Sequence, residues 1–483
     1  MLMIFSVAAV LVSCGDKGDQ GGASTTVTTV PGGTGPTDSH LYEDLPTGAY
    51  DGYEFKTLNG KVGYSIDTIV PEDTTDSLDA AIYARNAFVK EKLGITMTDL
   101  YADGVEDTMK SLTSSNDFEY DVVFNRVEFQ IRIVPLGTYL PVDDYEEYLN
   151  FDKPWWFTDA MDSIKVDGRG FELFSDMHLA YYDSVWAMAF NHSDLINNKQ
   201  SFPYDLVRSG DWDLEELEKI VKATYNKPGE EHYGITSHAG SITAFMVASD
   251  FRMVEQDDDL VLKMFEDETR FVEIYTAIKN AFFTSNGPGK TNIIRVSAKS
   301  NAAKQYEGYE VGWVESFTNG SATFMAGTIG DLRAVRASAF DYGFVPMPKY
   351  DGEQQDQYIG MIHNGASSAG IPTTQPDVER TCVILENLAA YSYKLVKYEY
   401  YDVVVQGRSV RDNDSIEMLD IAFGVDEDGL GTTRFVIDKV FIMGLSVAVE
   451  QEMSDANEGV LVTVDGLRGG ADSRIEEIIE NYK

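Results

Sequence analysis

Cysteine is almost missing from this sequence. Its 483 residues hold only Cys14 and Cys382, which leaves no disulfide framework and no thiolate metal site. Histidine is also scarce, and the six present are scattered without metal-ligand spacing. Positive charge is short: 38 basic residues face 80 acidic ones, a net charge of −42. That balance excludes nucleic acid and anionic membrane surfaces as partners. The G-x-S-x-G elbow, H-E-x-x-H, the phosphate loop and the dinucleotide fingerprint are all lacking. Gly365-Ala366-Ser367-Ser368-Ala369-Gly370 is one residue out of register for the elbow. Asp257-Asp258-Asp259 and Asp426-Glu427-Asp428-Gly429 lack the EF-hand spacing. No metal, cofactor or catalytic residue is therefore expected, and acidic pairs such as Asp143-Asp144 read as solvated faces.

Long apolar runs are absent after the first residues. Leu2 to Val12 is almost continuously apolar, yet too short to cross a hydrocarbon core of ~30 Å as a lasting helix. It suits a signal peptide over residues 1–13. No Lys or Arg precedes it. Leu11-Val12-Ser13-Cys14 resembles the lipobox of bacterial lipoproteins, which implies that Cys14 carries lipid. Gly15 to Leu41 is Gly, Ser, Thr, Pro and Asp with few apolar groups, too few to offset the entropy of ordering. A disordered tether over residues 14–45 is the expectation.

What remains is rich in core-forming residues, 43% hydrophobic and 12% aromatic overall. At ~440 residues it exceeds the size at which one core keeps growing, so two lobes are expected. Apolar runs alternate with helical patterns, as in α/β architectures. Leu78, Ala81, Ile82, Phe88, Val89 and Leu93 trace one helical face, with Asp76 or Ser77 to cap it and Gly94 to end it. Tyr120–Phe124, Ser184–Phe190 and Tyr342–Met347 read as buried strands. Asp213 and Glu216 form a capping box before another helix, and Val378, Cys382, Leu385, Ala389 and Val396 stripe a third, with Cys382 as a small core residue.

Several segments, in order, resemble the family 1 extracellular solute-binding proteins of bacterial ABC importers. Tyr120-Asp121-Val122-Val123 is similar to the family's GxYDVV strand. Asn191 matches its crossover asparagine, though His192 stands where the family has Lys. Gly210-Asp211-Trp212-Asp213 resembles its helix start, Phe317 to Met325 its F-x-x-G-K-A-A-M segment (with Ser321 for Lys), and Tyr342 to Pro348 its Y-G-v-x-P-x-P strand. Lys153-Pro154-Trp155-Trp156 and Arg411 to Ser415 resemble a subgroup of such lipoproteins from Clostridia-like bacteria. The resemblance implies a two-lobed, type II periplasmic-binding-protein-like α/β fold, with a ligand cleft between lobes joined by crossing hinge strands. One lobe is expected over residues 46–180 and 350–400, the other over 181–349 and 401–483. It implies a monomeric, lipid-anchored receptor on the outer face of the cytoplasmic membrane, delivering a mono- or oligosaccharide to permease subunits and catalysing nothing. A receptor or sensor for a peptide or other small solute is the main alternative, and a glycan-acting hydrolase a more distant one.

Sugar recognition needs aromatic faces for the C–H surfaces of the ring and convergent polar groups for its hydroxyls. Asn125 and Arg126 follow a buried strand, at the carboxyl end where open sheets place ligands; the plainer reading is a polar loop. Tyr182 and Asp183 precede the crossover strand. Trp313 lies beside Gly312 in a polar stretch, facing a cleft or covering a core. Thr328 and Asp331 follow Met325-Ala326-Gly327, where the family places ligand contacts, and Tyr358, His363 and Asn364 precede a segment that borders the family cleft. Trp155, Trp156 and Trp186 read as structural.

Overall fold

Residues 39–60, 76–177, 179–224, 232–238, 240–256, 261–279, 312–351, 355–405, 413–441, 443–454 and 459–482 are described by the computed structural model. Cys14, its leader and most of the expected tether lie outside them. Leu41, Tyr42 and Leu45, within the span assigned to the tether by composition, pack against the core. Tyr42 stacks on Trp155 with ring centroids 6.0 Å apart, and Leu45 is buried.

The strands among the described residues are β1 Tyr53–Gly60, β2 Ile95–Ala102, β3 Val122–Arg126, β4 Trp186–Asn191, β5 Tyr233–Thr236, β6 Val254–Gln256, β7 Leu262–Met264, β8 Ala322–Thr328, β9 Tyr342–Pro346, β10 Tyr358–Ile362, β11 Ser367–Gly370 and β12 Gly431–Phe435. A first sheet has the order β11-β3-β1-β2. Its β1, β2 and β3 are parallel, and β11 runs antiparallel to β3. Phe55, Leu58, Val122, Val123 and Phe124 are buried in it, each such side chain contributing about 1.5–3 kcal/mol. The helix Ser77–Leu93 leads into β2. Asp76 caps it by accepting from Leu78 N and Asp79 N, and Gly94 closes it at φ 65°. Its apolar stripe packs against helix Val378–Leu395. Arg85 lies buried on that stripe, its guanidinium donating to Asn86 Oδ1, Met177 O and Ser392 Oγ.

A second sheet has the order β5-β8-β4-β9, with β4 antiparallel to both neighbours. Every residue of β4 is buried. The expected strand from Ser184 starts two residues later, because Ala180–Ser184 is a short helix. Asn191, the crossover asparagine, acts as a helix cap. Its Oδ1 accepts from Ser193 N and Asp194 N and starts helix His192–Asn197.

The chain passes between the sheets along hydrogen-bonded crossings. Leu173 bridges Ala369 of β11, and Val185, just before β4, bridges Ile362 of β10. The return path runs through β10 and the turn His363–Ala366 into β11. His363 N donates to Ser184 O, and Ile329 N to Val185 O, at 2.9 and 2.8 Å. Residues 183–186 are thus held between the ends of β8 and β10.

Candidate ligand site at the strand ends

The carboxyl ends of β1 and β3 form one wall. Asn125 is buried there, and a Cβ on Gly60 would lie 2.2 Å from Asn125 Oδ1, so the glycine lets the amide sit against β1. Arg126 Nη2 meets Glu128 Oε1 at 2.6 Å, while its guanidinium lies 5.0 Å from the Phe129 ring centroid. Asn364 Nδ2 donates to the other oxygen of Glu128. The Nε of Arg126 is buried without a hydrogen-bond acceptor among the described residues. His363 Nδ1 accepts from Gly365 N at 2.9 Å. Burial, followed by the positive charge of Lys439, His238 and Arg126, pushes the pKa of His363 down to about 3. Its ring is therefore neutral at any physiological pH.

The second wall comes from the corresponding edge of the other sheet. The register places Trp186 opposite Thr328. His238, just after β5, sits between two indoles, 4.9 Å from Trp186 and 5.3 Å from Trp313 by ring centroids. Its Nδ1 accepts from Gly240 N, and burial pushes its pKa down. Trp313 starts helix Trp313–Thr318 and is half-buried. A Cβ on Gly327 would come within 3.0 Å of its ring edge, so the glycine lets the edge of the indole approach β8. Trp186 Nε1 is buried with no hydrogen-bond partner among the described residues, an unfavourable state for a donor away from water. Thr328 and Asp331 form a capping box, with Thr328 Oγ1 donating to Asp331 Oδ2 at 2.6 Å.

Asp183 ties Arg333, just past the capping box of the second wall, to Tyr400 of helix Lys397–Val405. Its Oδ1 accepts from Tyr400 at 2.7 Å and its Oδ2 from Arg333 Nη2 at 2.8 Å. Burial raises its pKa, with Arg333 opposing. The Arg333 side chain stays 29% exposed. Three ionic pairs lie here, Arg126 with Glu128, Arg333 with Asp183, and Lys439 with Glu450 at 2.6 Å, and Asp331 adds a carboxylate that accepts from Thr328. With no excess of positive charge and aromatic rings alongside, the site suits a neutral polar ligand.

Of the expected residues, Asn125, Arg126, His363 and Asn364 gather at the first wall, Trp313, Thr328 and Asp331 at the second, and Asp183 joins them. Two lie elsewhere. Tyr182 is fully buried among Phe157, Tyr400 and Phe423, its hydroxyl donating to Asp176. It points away because Ala180–Ser184 is helical, which turns neighbouring side chains about 100° apart instead of alternating them. Tyr358 is also core: its hydroxyl accepts from Trp212 N and donates to Val207 O, both at 3.2 Å. The strand β10 is buried on both faces, so its first residue faces the second sheet's interior. Sequence reasoning missed Glu128, His238 and Arg333, and it read Trp186 as core, where it is fully buried. Only Glu128, two residues past Arg126, carried a signal in its position.

No protein-family model and no curated protein sequence matches the chain. Solved structures do match its fold. The sugar-binding protein MalE from Xanthomonas citri is similar with a TM-score of 0.60 at 15% identity, over 88% of this chain and 98% of that one. UgpB from Mycobacterium tuberculosis, in complex with glycerophosphocholine, has a TM-score of 0.55 at 12% identity, over 89% and 100%. The ABC substrate-binding protein Lmo0181 from Listeria monocytogenes, in complex with cycloalternan, has a TM-score of 0.52 at 11% identity, over 88% and 100%. The fold is therefore the two-lobed type II periplasmic-binding-protein architecture, with a cleft between lobes joined by crossing strands.

Proposed function

We propose that this protein is the solute receptor of a bacterial ABC importer, one of the family 1 binding proteins, and that it holds a neutral carbohydrate between its lobes without transforming it. The observation that carries the reading is the half-buried indole of Trp313 beside His238 at the strand ends of one sheet, with Arg126, Glu128 and Asn364 clustered at the strand ends of the other. Indole faces pack on the C–H surface of a pyranose, while amide, guanidinium and carboxylate groups pair with its hydroxyls. The fold supports it: a sugar-binding MalE and a cycloalternan-bound receptor are built on the same plan. A glycerophosphocholine-bound protein shares it too, so a non-sugar small solute is the second reading.

The rest of the reading concerns place and partners. Cys14 carries the lipid, residues up to about 38 form the tether, and the receptor sits as a monomer on the outer face of the membrane, handing its ligand to permease subunits. Cys14→Ser abolishes incorporation of labelled palmitate in this reading; equal labelling of both forms refutes the anchor. The function itself is tested by thermal shift against mono- and oligosaccharides. A true ligand at ~100 times its Kd stabilises the folded form by ~2.7 kcal/mol and is recovered intact after long incubation. Recovery of cleaved sugar in excess over protein overturns the receptor reading in favour of a hydrolase.

A further inference from the structure

An open hollow of ≈ 430 Å³ lies between residues 151–159 on one side and 423–433 on the other. That is the size range of small-molecule sites, ~300–1,000 Å³. Its aromatic lining is fixed by polar anchors. Trp156 donates its Nε1–H to Glu386 Oε2 at 2.8 Å. Phe157 stacks on Tyr181 with centroids 4.0 Å apart, and the Tyr181 hydroxyl is 2.6 Å from Thr433 Oγ1. The two sides belong to different parts of the fold. Glu386 lies on helix Val378–Leu395, which packs on helix Ser77–Leu93 beside the first sheet. Residues 423–433 follow helix Asn413–Phe423, which packs on β9 of the second.

Lys397 lines this hollow and is only 5% exposed. Its ammonium lies 5.0 Å from the Tyr393 ring centroid and 5.6 Å from that of Tyr401. Among the described residues it has no hydrogen-bond acceptor and no carboxylate within ion-pair distance. The nearby acids Asp176 and Asp420 are each engaged by a tyrosine hydroxyl, from Tyr182 and Tyr401, and act on it only through space. With no protein oxygen to accept from it, the ammonium opens onto the hollow, where water or a ligand oxygen takes its N–H groups. The lining also contains Asp152, Asp159 and Asp426 against Lys153 and Lys397, three carboxylates to two ammonium groups. An anionic occupant would be repelled. A neutral one with oxygen lone pairs and an apolar face would satisfy both Lys397 and the rings.

We propose that this hollow is a second ligand site, separate from the strand-end cleft, that takes a neutral pyranose-sized polyol with a hydroxyl on Lys397 and a ring face on Trp156 and Phe157. It goes beyond the receptor reading and does not depend on it. An occupant touches both sides of the seam, so its binding is coupled to how the lobes sit.

The test is saturation-transfer NMR on the intact protein with methyl β-glucoside, methyl β-galactoside and methyl α-mannoside as neutral probes, and glucuronate as the anionic one. At least one neutral probe binds, and glucuronate does not. Binding persists in Trp313→Ala, weakens at least fivefold in Lys397→Met, and disappears in Val425→Trp, which fills the hollow from its rim without touching the Lys397 environment. Circular dichroism and melting confirm that each variant is folded. Binding lost only in Trp313→Ala overturns the second site while leaving the receptor reading intact. Binding lost only in the Lys397 and Val425 variants upholds the second site and leaves the cleft, whose ligand is found by its own screen, untouched. Silence from all neutral probes, or equal binding of glucuronate, overturns the proposal.

Discussion

Trp313 and Tyr182 show how differently two aromatic residues of the same apparent promise behave. The indole of Trp313 is half-buried, its edge on Gly327 and its face beside His238. It is packed enough to be rigid and open enough to meet a ligand. As an aromatic anchor it should act as a hot spot, so Trp313→Ala is expected to weaken ligand binding by ≥ ~2 kcal/mol. A fully buried tryptophan would lose about 3–5 kcal/mol of fold stability on the same change; the half-burial here predicts a smaller loss. Titration calorimetry with a screened ligand and melting of the empty protein separate the two, and a variant that binds normally but melts far earlier refutes the site role. Tyr182→Phe should do the reverse. It leaves the buried Asp176 carboxyl short of a donor, at a cost of about 1–3 kcal/mol, while ligand affinity stays as in the wild type.

At the scale of elements, much of the fold was legible because capping and periodicity are local. Asp76, Gly94 and the stripe from Leu78 to Leu93 specify their helix without help from the rest of the chain. The strand at Val122–Arg126 was legible as a buried run, and with it the position of Asn125 and Arg126 at its carboxyl end. Faces were not legible. Both β4 and β10 are buried throughout, so no alternation tells which residues meet the cleft: Tyr358 was placed there although it is core, while Trp186, read as core, is fully buried. His238 was out of reach altogether, since its neighbours Trp186 and Trp313 are set by the register of β4 and β8 and by the packing of a helix on Gly327. Gly60 tests the strand-end geometry. A methyl there would collide with the Asn125 amide, which must swing away from β1. Gly60→Ala is therefore expected to reduce ligand affinity severalfold with a small loss of stability, and unchanged affinity would remove Asn125 from the site.

The whole molecule carries a net charge of −42, and its buried acids add a second pH dependence of the same sign. Burial pushes Glu172 up to about 8, with Ser368 opposing. Burial likewise pushes Asp176 up to about 7 against Lys397 and Tyr182, and Glu386 up to about 7 against the indoles of Trp156 and Trp155 and the backbone N–H of Asn150. In the unfolded chain these groups return to about 4. Between the two values the native state holds protons that the unfolded state has released, so stability falls as pH rises. The contribution is fully present below about pH 4 and is lost as pH rises through about 7–8. Self-repulsion of the ionised surface acts in the same direction, because acidification begins to discharge it. The melting temperature should therefore be higher at about pH 5.5 than at about pH 8.5. Salt separates the causes: about 0.5 M NaCl screens the surface repulsion and leaves buried groups nearly untouched. Under that salt Glu172→Gln, which keeps an acceptor for Gln130 Nε2 but has no proton to lose, should flatten the slope between pH 6 and 9. A slope identical to that of the wild type would mean that Glu172 titrates at its ordinary value, and that the buried acids do not govern the pH response of this protein.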